Sequence, residues 1–413
     1  MNGITIVGGG PAGFMAGVAA AEASRGKPAV KILEKGRPLA TLLPTGGGCC
    51  NLTNAVQNPR ELASSYPRGA KFLLSSFTRF GAVDAMEWFR SHDLPLAEEA
   101  GGRVFPASRR AADVRDLFLG TARENGVEVI PGTRVPAARV VPGGFELETP
   151  SGPLDCRVLV VAAGGGRDSD GSGHGLARAF GHTVTPLAPS LAALVSSDRW
   201  PGSLAGLSLI GARMRAVHDG RAVADERGDL VFTHRGISGP LAFRVSSRAA
   251  FIPFTPASPL ECVLSAAPDF TAPQVEESLS EFFTSRPRAS ALSGLRKIIP
   301  KSLAEAALAL AGLDPEMQCS QVKRGERKEL ARIAAGMPIA IVSREPGGEI
   351  VTAGGVCLDE IDQKTMESRL VPGLFFCGEI LDIDGFTGGF NLQACWTTGY
   401  LAGLGAAAAI GQA

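Results

Sequence analysis

Apolar residues at the start of the chain follow a strand, helix, strand order. Residues 4–7 (ITIV) form a mainly apolar run that ends at a glycine, which is typical of a short buried strand. Apolar positions then recur at helical spacing from Pro11 to about Arg25, and Gly26 is the predicted helix cap. A second strand is predicted over residues 30–33. This order predicts a βαβ unit, which opens a parallel sheet.

The alternation of predicted strands and helices continues to about residue 190. A helix is predicted over residues 110–124 and a strand over residues 128–130. Residues 158–163 are continuously apolar and lead into three glycines, a pattern that favours a parallel strand buried on both faces. We therefore expect residues 1–190 to supply most of a Rossmann-like, doubly wound α/β domain.

The pattern changes after this first domain. Short β-like runs in residues 191–267 and 338–348 predict an inserted, β-rich and barrel-like domain. Between them, residues 268–337 show helical spacing punctuated by prolines, which predicts a small helical domain. Residues 349–413 return to the first domain and end in a predicted helix over residues 392–409.

Composition narrows the class of protein. The 413 residues are 45% hydrophobic and carry a formal net charge of zero, so no overall field attracts nucleic acid or an anionic membrane. Eight scattered cysteines form no C-x-x-C pair, which argues against a zinc site or a disulfide framework. No signal peptide and no membrane-spanning run is recognisable. We expect a reduced, cytoplasmic protein that holds no metal and does not enter a membrane.

The turn after the first strand carries a dinucleotide-binding pattern. Gly8 allows the tight turn, Gly10 lets the backbone approach a diphosphate, and Gly13 lets the helix pack against the strand. The helix N-terminus adds free N–H groups and a partial positive charge. Glu34 stands where an acid accepts hydrogen bonds from ribose hydroxyls and disfavours a 2′-phosphate. A glycine-rich turn without a ligand is the weaker interpretation, because strand, helix and acid are all in place.

A second glycine-rich loop, TGGGCCNLTN, covers residues 45–54. Its consecutive small residues would let backbone amides reach a phosphate or a flavin ring. Asn51 and Asn54 offer side-chain hydrogen bonds to the same ligand. The alternative is a connecting loop without a ligand.

Two adjacent cysteines in this loop suggest redox chemistry. A disulfide between neighbours such as Cys49 and Cys50 is strained. Thiol reactivity also needs an exposed, electropositive setting, which the sequence does not show. We therefore do not expect a catalytic dithiol.

A third glycine-rich stretch lies near the end of the chain. Gly378 and Glu379 follow a predicted strand, which would place the carboxylate near a ribityl chain. Gly388 and Gly389 would allow the backbone to lie against an isoalloxazine ring. The helix that begins near Asn391 would point its N-terminus at the flavin N1–C2=O region, where negative charge gathers on reduction. Motifs at both chain ends predict one long cofactor, FAD, rather than NAD.

These motifs together resemble one family of flavoproteins. The family includes aminoacetone oxidases and bile-acid-inducible enone reductases, which are NAD(P)/FAD-dependent oxidoreductases. The resemblance implies FAD bound between the chain ends, an inserted β-rich domain and a small helical domain. The matching segments are GGGPAG at 8–13, TGGGCCNLTN at 45–54, GRVFP at 102–106, FTHRGISGP at 232–240, VTAGGV at 351–356, TMES at 365–368 and GEILDIDGFTGGFNLQACWTTGYLAG at 378–403.

Three positions depart from the family pattern. Cys49 replaces an arginine, which removes a guanidinium from the loop. Ala163 replaces a threonine and removes a hydroxyl. Phe390 replaces a tyrosine, so no phenol can donate a proton there.

The motifs and the resemblance together predict a set of residues that bind FAD. They are Gly8, Gly10, Pro11, Ala12, Gly13, Glu34, Lys35, Gly46, Gly47, Gly48, Cys50, Asn51, Val135, Ala163, Gly164, Gly165, Gly378, Glu379, Asp382, Gly388, Gly389, Asn391 and Leu392.

Two side chains are candidates for catalysis. His234 lies in a polar cluster and would protonate a substrate as hydride arrives; the alternative is a structural histidine in a turn. Arg103 would hold a substrate carbonyl or carboxylate; the alternative is a surface arginine. His174 is predicted to be a loop residue. No Ser-His-Asp order or metal-ligand spacing supports a hydrolase.

The leading hypothesis is an FAD oxidoreductase for a small organic substrate, either an enone-type reductase or an amine oxidase. Hydride would pass through flavin N5. The sequence contains no second G-x-G-x-x-G motif, so it predicts no separate nicotinamide domain. NAD(P)H would therefore stack transiently on the flavin, or O2 would take the electrons.

Two other classes stay open. A flavoenzyme that reduces or modifies a base in structural RNA would dock through a basic run, although that run is also typical of a solvated helix surface. A flavin-binding protein without turnover is the third class. The basic run comprises Arg286, Arg288, Arg296, Lys297 and Lys301.

Overall fold

The computed structural model describes residues 3–25, 27–166, 171–347 and 350–411. The cap predicted at Gly26 and the domain boundary predicted at residue 349 lie outside these ranges. The strands are β1 Gly3–Val7, β2 Ala29–Glu34, β3 Thr53–Asn54, β4 Leu96–Glu99, β5 Arg103–Pro106, β6 Glu128–Pro131, β7 Ala138–Val141, β8 Gly144–Thr149, β9 Gly152–Cys156, β10 Val158–Val161, β11 Ala188–Ser190, β12 Leu194–Ser196, β13 Ser208–His218, β14 Arg221–Thr233, β15 Gly236–Ser238, β16 Leu260–Ser265, β17 Met337–Arg344, β18 Val351–Ala353 and β19 Leu374–Phe376.

The helices join these strands in two compact units, Met1–Pro189 with Val351–Ala413, and Ser190–Ile350. The helices are α1 Pro11–Ala23, α2 Pro59–Ser64, α3 Ala70–Phe77, α4 Ala82–Ser91, α5 Ala111–Glu124, α6 Ser172–Ala179, α7 Arg199–Ser203, α8 Pro240–Arg248, α9 Ala272–Ser285, α10 Ala291–Leu295, α11 Lys301–Leu310, α12 Arg324–Ala335 and α13 Phe390–Gly411.

The first unit is built on a five-stranded parallel sheet of order β19-β10-β1-β2-β6. Strand β1 lies at its centre, with Ile4 opposite Val30 on one side and Val158 on the other. A strand flanked on both edges and covered by helices is mainly apolar on both faces, which explains why Ile4, Ile6 and Val7 of β1 are all buried, with Thr5 as a buried polar exception. Because β19 comes from the end of the chain, the sheet itself brings both chain ends together.

Helices α1 and α13 pack closely because both carry small residues. A Cβ atom on Gly399 would lie 2.5 Å from the Ala12 carbonyl oxygen, and one on Gly403 would lie 2.4 Å from the Ala16 carbonyl oxygen. Larger side chains at these positions would force the helices apart. The glycines of the last helix therefore allow it to lie directly against the first.

The second unit contains a closed barrel of order β12-β15-β14-β13-β16-β17. Strand β17 follows the helical segment and pairs with both β16 and β12, so it closes the barrel. Helices α9 to α12 share one hydrophobic core with the barrel strands. The prediction of a Rossmann-like sheet with an inserted barrel and helices is confirmed. No helix in the described part of the chain is both long and apolar enough to cross a membrane.

Candidate cofactor site

The turn between β1 and α1 contains glycines of two kinds. A Cβ on Gly8 would lie 2.3 Å from the Ala162 carbonyl oxygen, and one on Gly13 only 1.9 Å from the Gly8 carbonyl oxygen. The fold itself requires these two glycines. Gly10 is different, because its backbone is extended (φ −85°, ψ −173°) and the nearest atom to a Cβ there would be Thr41 Oγ1 at 3.8 Å. The space beside Gly10 is open at the N-terminus of α1, as a bound diphosphate would need.

Glu34 lies at the end of β2 and contacts this turn directly. Its Oε2 accepts a hydrogen bond from Gly9 N at 2.7 Å, and its Oε1 accepts one from Gly36 N at 2.7 Å. The Thr133 N–H donates to the Glu34 carbonyl oxygen, which brings the loop after β6 to the same edge of the sheet. Two further residues predicted to bind FAD lie next to these contacts, Lys35 directly after Glu34 and Val135 in the loop after β6. Lys35 is exposed and Val135 is buried.

The C-terminal motif meets the N-terminal turn. Gly378 has a positive φ of 78°, and a Cβ on it would lie 2.6 Å from the Cβ of Ala12. A Cβ on Gly165 would lie 2.9 Å from Glu379 Oε1, so the loop after β10 reaches the same place. The Glu379 carboxylate accepts a hydrogen bond from Thr352 N at 2.8 Å. The structure therefore brings the glycines from three distant segments to one end of the sheet.

Asp382 has an unused acceptor in this region. Its Oδ1 is buried and finds no hydrogen-bond partner in the described residues. Burial raises the pKa of the Asp382 carboxyl, while a hydrogen bond with Thr185 and the charge of Arg68 act in the opposite direction. A buried carboxylate oxygen without a donor is costly. Such an atom fits a site that receives a hydroxyl group from a ligand.

The side-chain amides of Asn51 and Asn54 hold the C-terminal turn. Asn54 Nδ2 donates to the carbonyl oxygens of Gly101 (3.0 Å) and Gly388 (3.2 Å). The Asn51 amide, oriented so that its nitrogen donates to Thr53 O at 3.1 Å, accepts from Gly389 N at 3.2 Å. The loop at residues 45–54 thus fixes the two glycines that precede α13.

Backbone geometry explains the glycines of this loop. Gly46, Gly47 and Gly48 all have positive φ, at 58°, 66° and 87°, a region that strongly favours glycine. Cys50 is buried, and desolvation raises the pKa of its thiol to about 12. That thiol is protonated at neutral pH, whereas nucleophilic sulfur chemistry requires the thiolate. All eight cysteines, which all lie in the described ranges, are free.

Helix α13 starts at Phe390, two residues before the sequence prediction. Asn391 closes the turn before it, because its Oδ1 accepts from Gly385 N and its Nδ2 donates to Gly385 O, both at 2.8 Å. The Gln393 N–H makes a helical hydrogen bond to Gly389 O. The N–H groups that precede it, including that of half-buried Leu392, lie at the positive end of the helix dipole.

The two catalytic candidates belong to different units. Arg103 is exposed on β5, where its Nε donates to Ala100 O at 3.2 Å and its Nη2 lies 3.7 Å from Glu99 Oε2. His234 is exposed in the turn between β14 and β15. In the parts of the chain that the structure covers, no group of three or more histidine, cysteine or acidic side chains could hold a metal ion.

The prediction that His174 is a loop residue is wrong. It lies in α6 and is buried, and neither ring nitrogen has a hydrogen-bond partner in the described ranges. Burial lowers the pKa of His174, and the charge of Arg178 lowers it further. The sequence signal was available, because Ala177 lies one helical turn after His174, and Gly173 and Leu176 show the same spacing.

Sequence reasoning also missed residues 65–69. Tyr66 and Arg68 in this segment contact the C-terminal turn through hydrogen bonds to Phe390 and Asp384. Their partners lie more than 300 residues away in sequence, and no local motif marks them.

A parallel sheet that joins two glycine-rich turns at the N-terminus of α1 defines a Rossmann-type dinucleotide-binding protein. A family model described as the HI0933-like protein Rossmann domain matches residues 2–405. The chain belongs to this family and is an FAD-dependent oxidoreductase. The family predicted from the motifs is confirmed.

Named relatives span almost the whole chain. The chain is 32% identical over 413 residues to a 3-dehydro-bile acid delta(4,6)-reductase of Clostridium scindens, covering 98% of this chain and 99% of the relative. It is 28% identical over 408 residues to a ribosomal RNA dihydrouridine synthase of Escherichia coli, covering 96% and 95%. A solved 3-ketosteroid delta1-dehydrogenase from Sterolibacterium denitrificans shares the fold with a TM-score of 0.51, at 13% identity and 98% and 99% coverage.

Proposed function

We propose that this protein is an FAD-dependent reductase of the enone type that acts on a small organic substrate. The observation that carries the proposal is the meeting of Gly378 with Ala12, which joins both glycine motifs into one elongated site. The reductase named among the relatives supports the substrate class, because it matches the full length of this chain.

Each chain end would bind a different part of FAD. The N-terminus of α1 would bind the diphosphate beside Gly10, and Glu34 would accept hydrogen bonds from the ribose. Asp382 Oδ1 would accept a hydrogen bond from the ribityl chain. The N-terminus of α13 would stabilise negative charge on the flavin ring. FAD bound in this way would supply hydride transfer through N5.

A stopped-flow experiment identifies the electron donor. Stopped-flow absorbance should show the flavin of the purified holoprotein bleached by NADH or NADPH, followed by re-oxidation when an enone substrate is added. Rapid re-oxidation by O2 without substrate would instead indicate that O2 takes the electrons, as in an oxidase. Failure of both donors to bleach the flavin would contradict a NAD(P)H-linked reductase.

His234→Ala is expected to slow the re-oxidation of reduced flavin by substrate about 100-fold, as typical for loss of a general acid. Bleaching by the donor should not change, because that step needs no proton from the side chain. Single-turnover stopped-flow separates the two steps. His218→Ala, at another barrel histidine, is the control, and equal effects of the two variants would return His234 to a structural role.

Asp382→Asn is expected to stabilise the apoprotein and to weaken FAD binding about tenfold, because a charged acceptor is replaced by a neutral one. The folded-state pKa of Asp382 is raised, so its ionisation reduces stability as pH rises through that pKa. The Asn variant should therefore unfold at a higher temperature at neutral pH.

The pH dependence of FAD affinity provides the second readout for Asp382. In the wild type, affinity should fall as pH falls through the raised pKa, because protonation removes the acceptor charge. The Asn variant should lack this dependence. Asp155→Asn, at an exposed acid on β9, is the control. Lower apoprotein stability with unchanged FAD affinity would contradict a ligand role for Asp382.

A second candidate function is reduction or modification of a base in structural RNA. It is favoured by the relative named as a ribosomal RNA dihydrouridine synthase. The basic run on the helical segment is exposed at all five positions, although Lys301 lies 3.6 Å from Glu305. Residues 268–337 carry ten basic and nine acidic residues, which is a weak electrostatic footprint for RNA.

Ribosomal RNA binding separates the two candidates. An RNA enzyme should bind with a steep dependence on salt concentration, and replacing Arg296 and Lys297 by Glu should abolish that binding. A small-molecule reductase should show no specific binding of ribosomal RNA at physiological salt. Its flavin should bleach at the same rate in the wild type and in the variant with Glu at positions 296 and 297.

A further inference from the structure

Residues 65–69, which follow helix α2, contact the turn before α13 from one side. The Phe386 N–H donates to the Ser65 carbonyl oxygen at 2.9 Å. The Tyr66 hydroxyl is buried and donates to the Phe390 carbonyl oxygen at 2.6 Å. The Tyr66 ring also packs edge-on against the Phe390 ring, with centroids 6.1 Å apart. Tyr66 therefore contacts both the backbone and the side chain of Phe390, the first residue of α13.

A buried ion pair strengthens the same contact. The Arg68 guanidinium donates through Nε and Nη2 to the two carboxylate oxygens of Asp384, whose side chain is fully buried. Two parallel charge-assisted hydrogen bonds fix both position and orientation. The next residue, Gly69, packs so closely that a Cβ on it would lie 2.6 Å from Ile383 Cγ1. Backbone and side chains of residues 65–69 thus follow the turn along its length.

The loop at residues 45–54 holds the same turn through other residues. Asn54 binds Gly388, and Asn51 binds Gly389. The turn at residues 385–390 is consequently held by two separate segments of the chain, although three of its six residues are glycine. A glycine-rich turn without such contacts would lose much conformational entropy on binding a ligand. Contacts that fix it beforehand reduce that cost, which increases affinity.

We propose that Tyr66 and Arg68 are positioning residues that hold the turn at residues 385–390 in the shape that binds the flavin end of FAD. The inference rests on the proposed function, because the turn matters only if FAD binds there. Arg68 also acts on Asp382, whose pKa it lowers, while neighbouring Asp384 raises that pKa and Thr185 lowers it. Burial raises the pKa of Asp382, and the charge of Arg68 opposes that rise in addition to fixing the turn.

Tyr66→Phe and Arg68→Met test the proposal by their effect on FAD binding to the apoprotein. Loss of one hydrogen bond in Tyr66→Phe should raise the FAD dissociation constant about fivefold. Loss of a buried ion pair in Arg68→Met should raise it about 100-fold. Arg68→Lys keeps the charge but not the paired hydrogen bonds. Its FAD dissociation constant should therefore lie between those of Arg68→Met and the wild type. Flavin fluorescence titration measures all four proteins.

A pH profile distinguishes positioning from general stability. In Arg68→Met, the pH below which FAD affinity falls should move upward, because Asp382 loses a nearby positive charge. A merely structural role would lower stability and leave that pH unchanged. Arg139→Met is the matched control, since it removes the exposed pair with Glu146 on the β7–β8 hairpin and should change neither affinity nor profile.

The outcomes separate this inference from the proposed function. Wild-type apoprotein that binds no FAD would refute the proposed function. Wild-type binding together with unchanged affinity in Tyr66→Phe and Arg68→Met would refute only the positioning role. If Arg68→Met does not fold, Tyr66→Phe decides, because it keeps the ring that packs against Phe77 and Phe390; unchanged FAD affinity in that variant overturns the proposal.

Discussion

Gly10→Val is expected to fold normally and to lose FAD. The backbone at this position is extended, and a Cβ there would meet no atom closer than 3.8 Å. Valine at a helix N-cap should cost the apoprotein about 1 kcal/mol at most. The same side chain would fill the space that the diphosphate needs, so affinity should fall at least ~1,000-fold, or about 4 kcal/mol. Flavin absorbance of the purified protein and FAD titration of the apoprotein measure this loss.

A neighbouring glycine provides the contrast for Gly10→Val. In Gly13→Ala, the new methyl group would lie 1.9 Å from the Gly8 carbonyl oxygen, so this variant should be unstable even without FAD. The pair separates a glycine needed by the ligand from one needed by the fold. A yellow Gly10→Val protein with wild-type affinity would show that the diphosphate does not lie at this turn.

Gly389→Val is expected to prevent retention of FAD by displacing the turn before α13. Gly389 has a φ of 95°, which is strongly unfavourable for a β-branched residue. Its Cβ would also lie 2.3 Å from the Thr53 carbonyl oxygen and 2.4 Å from the Thr53 carbonyl carbon. The turn must therefore move away from β3, and the flavin-facing backbone moves with it. Flavin content after purification and the dissociation constant of the apoprotein measure the effect.

The effect of backbone strain at a glycine with positive φ must be separated from the effect of displacing the turn before α13. Gly126→Val is the control, because Gly126 has a positive φ of 70° and open space around its Cβ position. Gly126→Val should lose stability but keep FAD. Normal yellow holoprotein from Gly389→Val would contradict the placement of the C-terminal turn at the flavin.

Much of the fold was predictable because its signals are local. The apolar run of β1, the glycines at positions 8, 10 and 13, and Glu34 all lie within one βαβ unit. The barrel was predictable only as a class, since closure depends on β17 pairing with two strands that precede it by many residues. Strand order in a closed barrel is a property of long-range pairing, which periodicity does not reveal.

The site was predictable in its glycines and less so in its polar side chains. Backbone geometry restricts glycine positions directly, so Gly46 to Gly48 could be read from the sequence. The direction of an amide is decided by tertiary contacts, and Asn51 and Asn54 point toward the C-terminal turn. Tyr66 and Arg68 carry no motif at all, because their role depends on residues more than 300 positions away.

Hydrogen–deuterium exchange with increasing FAD tests most directly whether both ends of the chain bind one molecule. The account predicts that amides in residues 8–14 and in residues 378–393 become protected together, with the same apparent dissociation constant, and that Gly10→Val abolishes protection in both segments. Protection of one segment without the other, or protection of the C-terminal segment that persists in Gly10→Val, would contradict it.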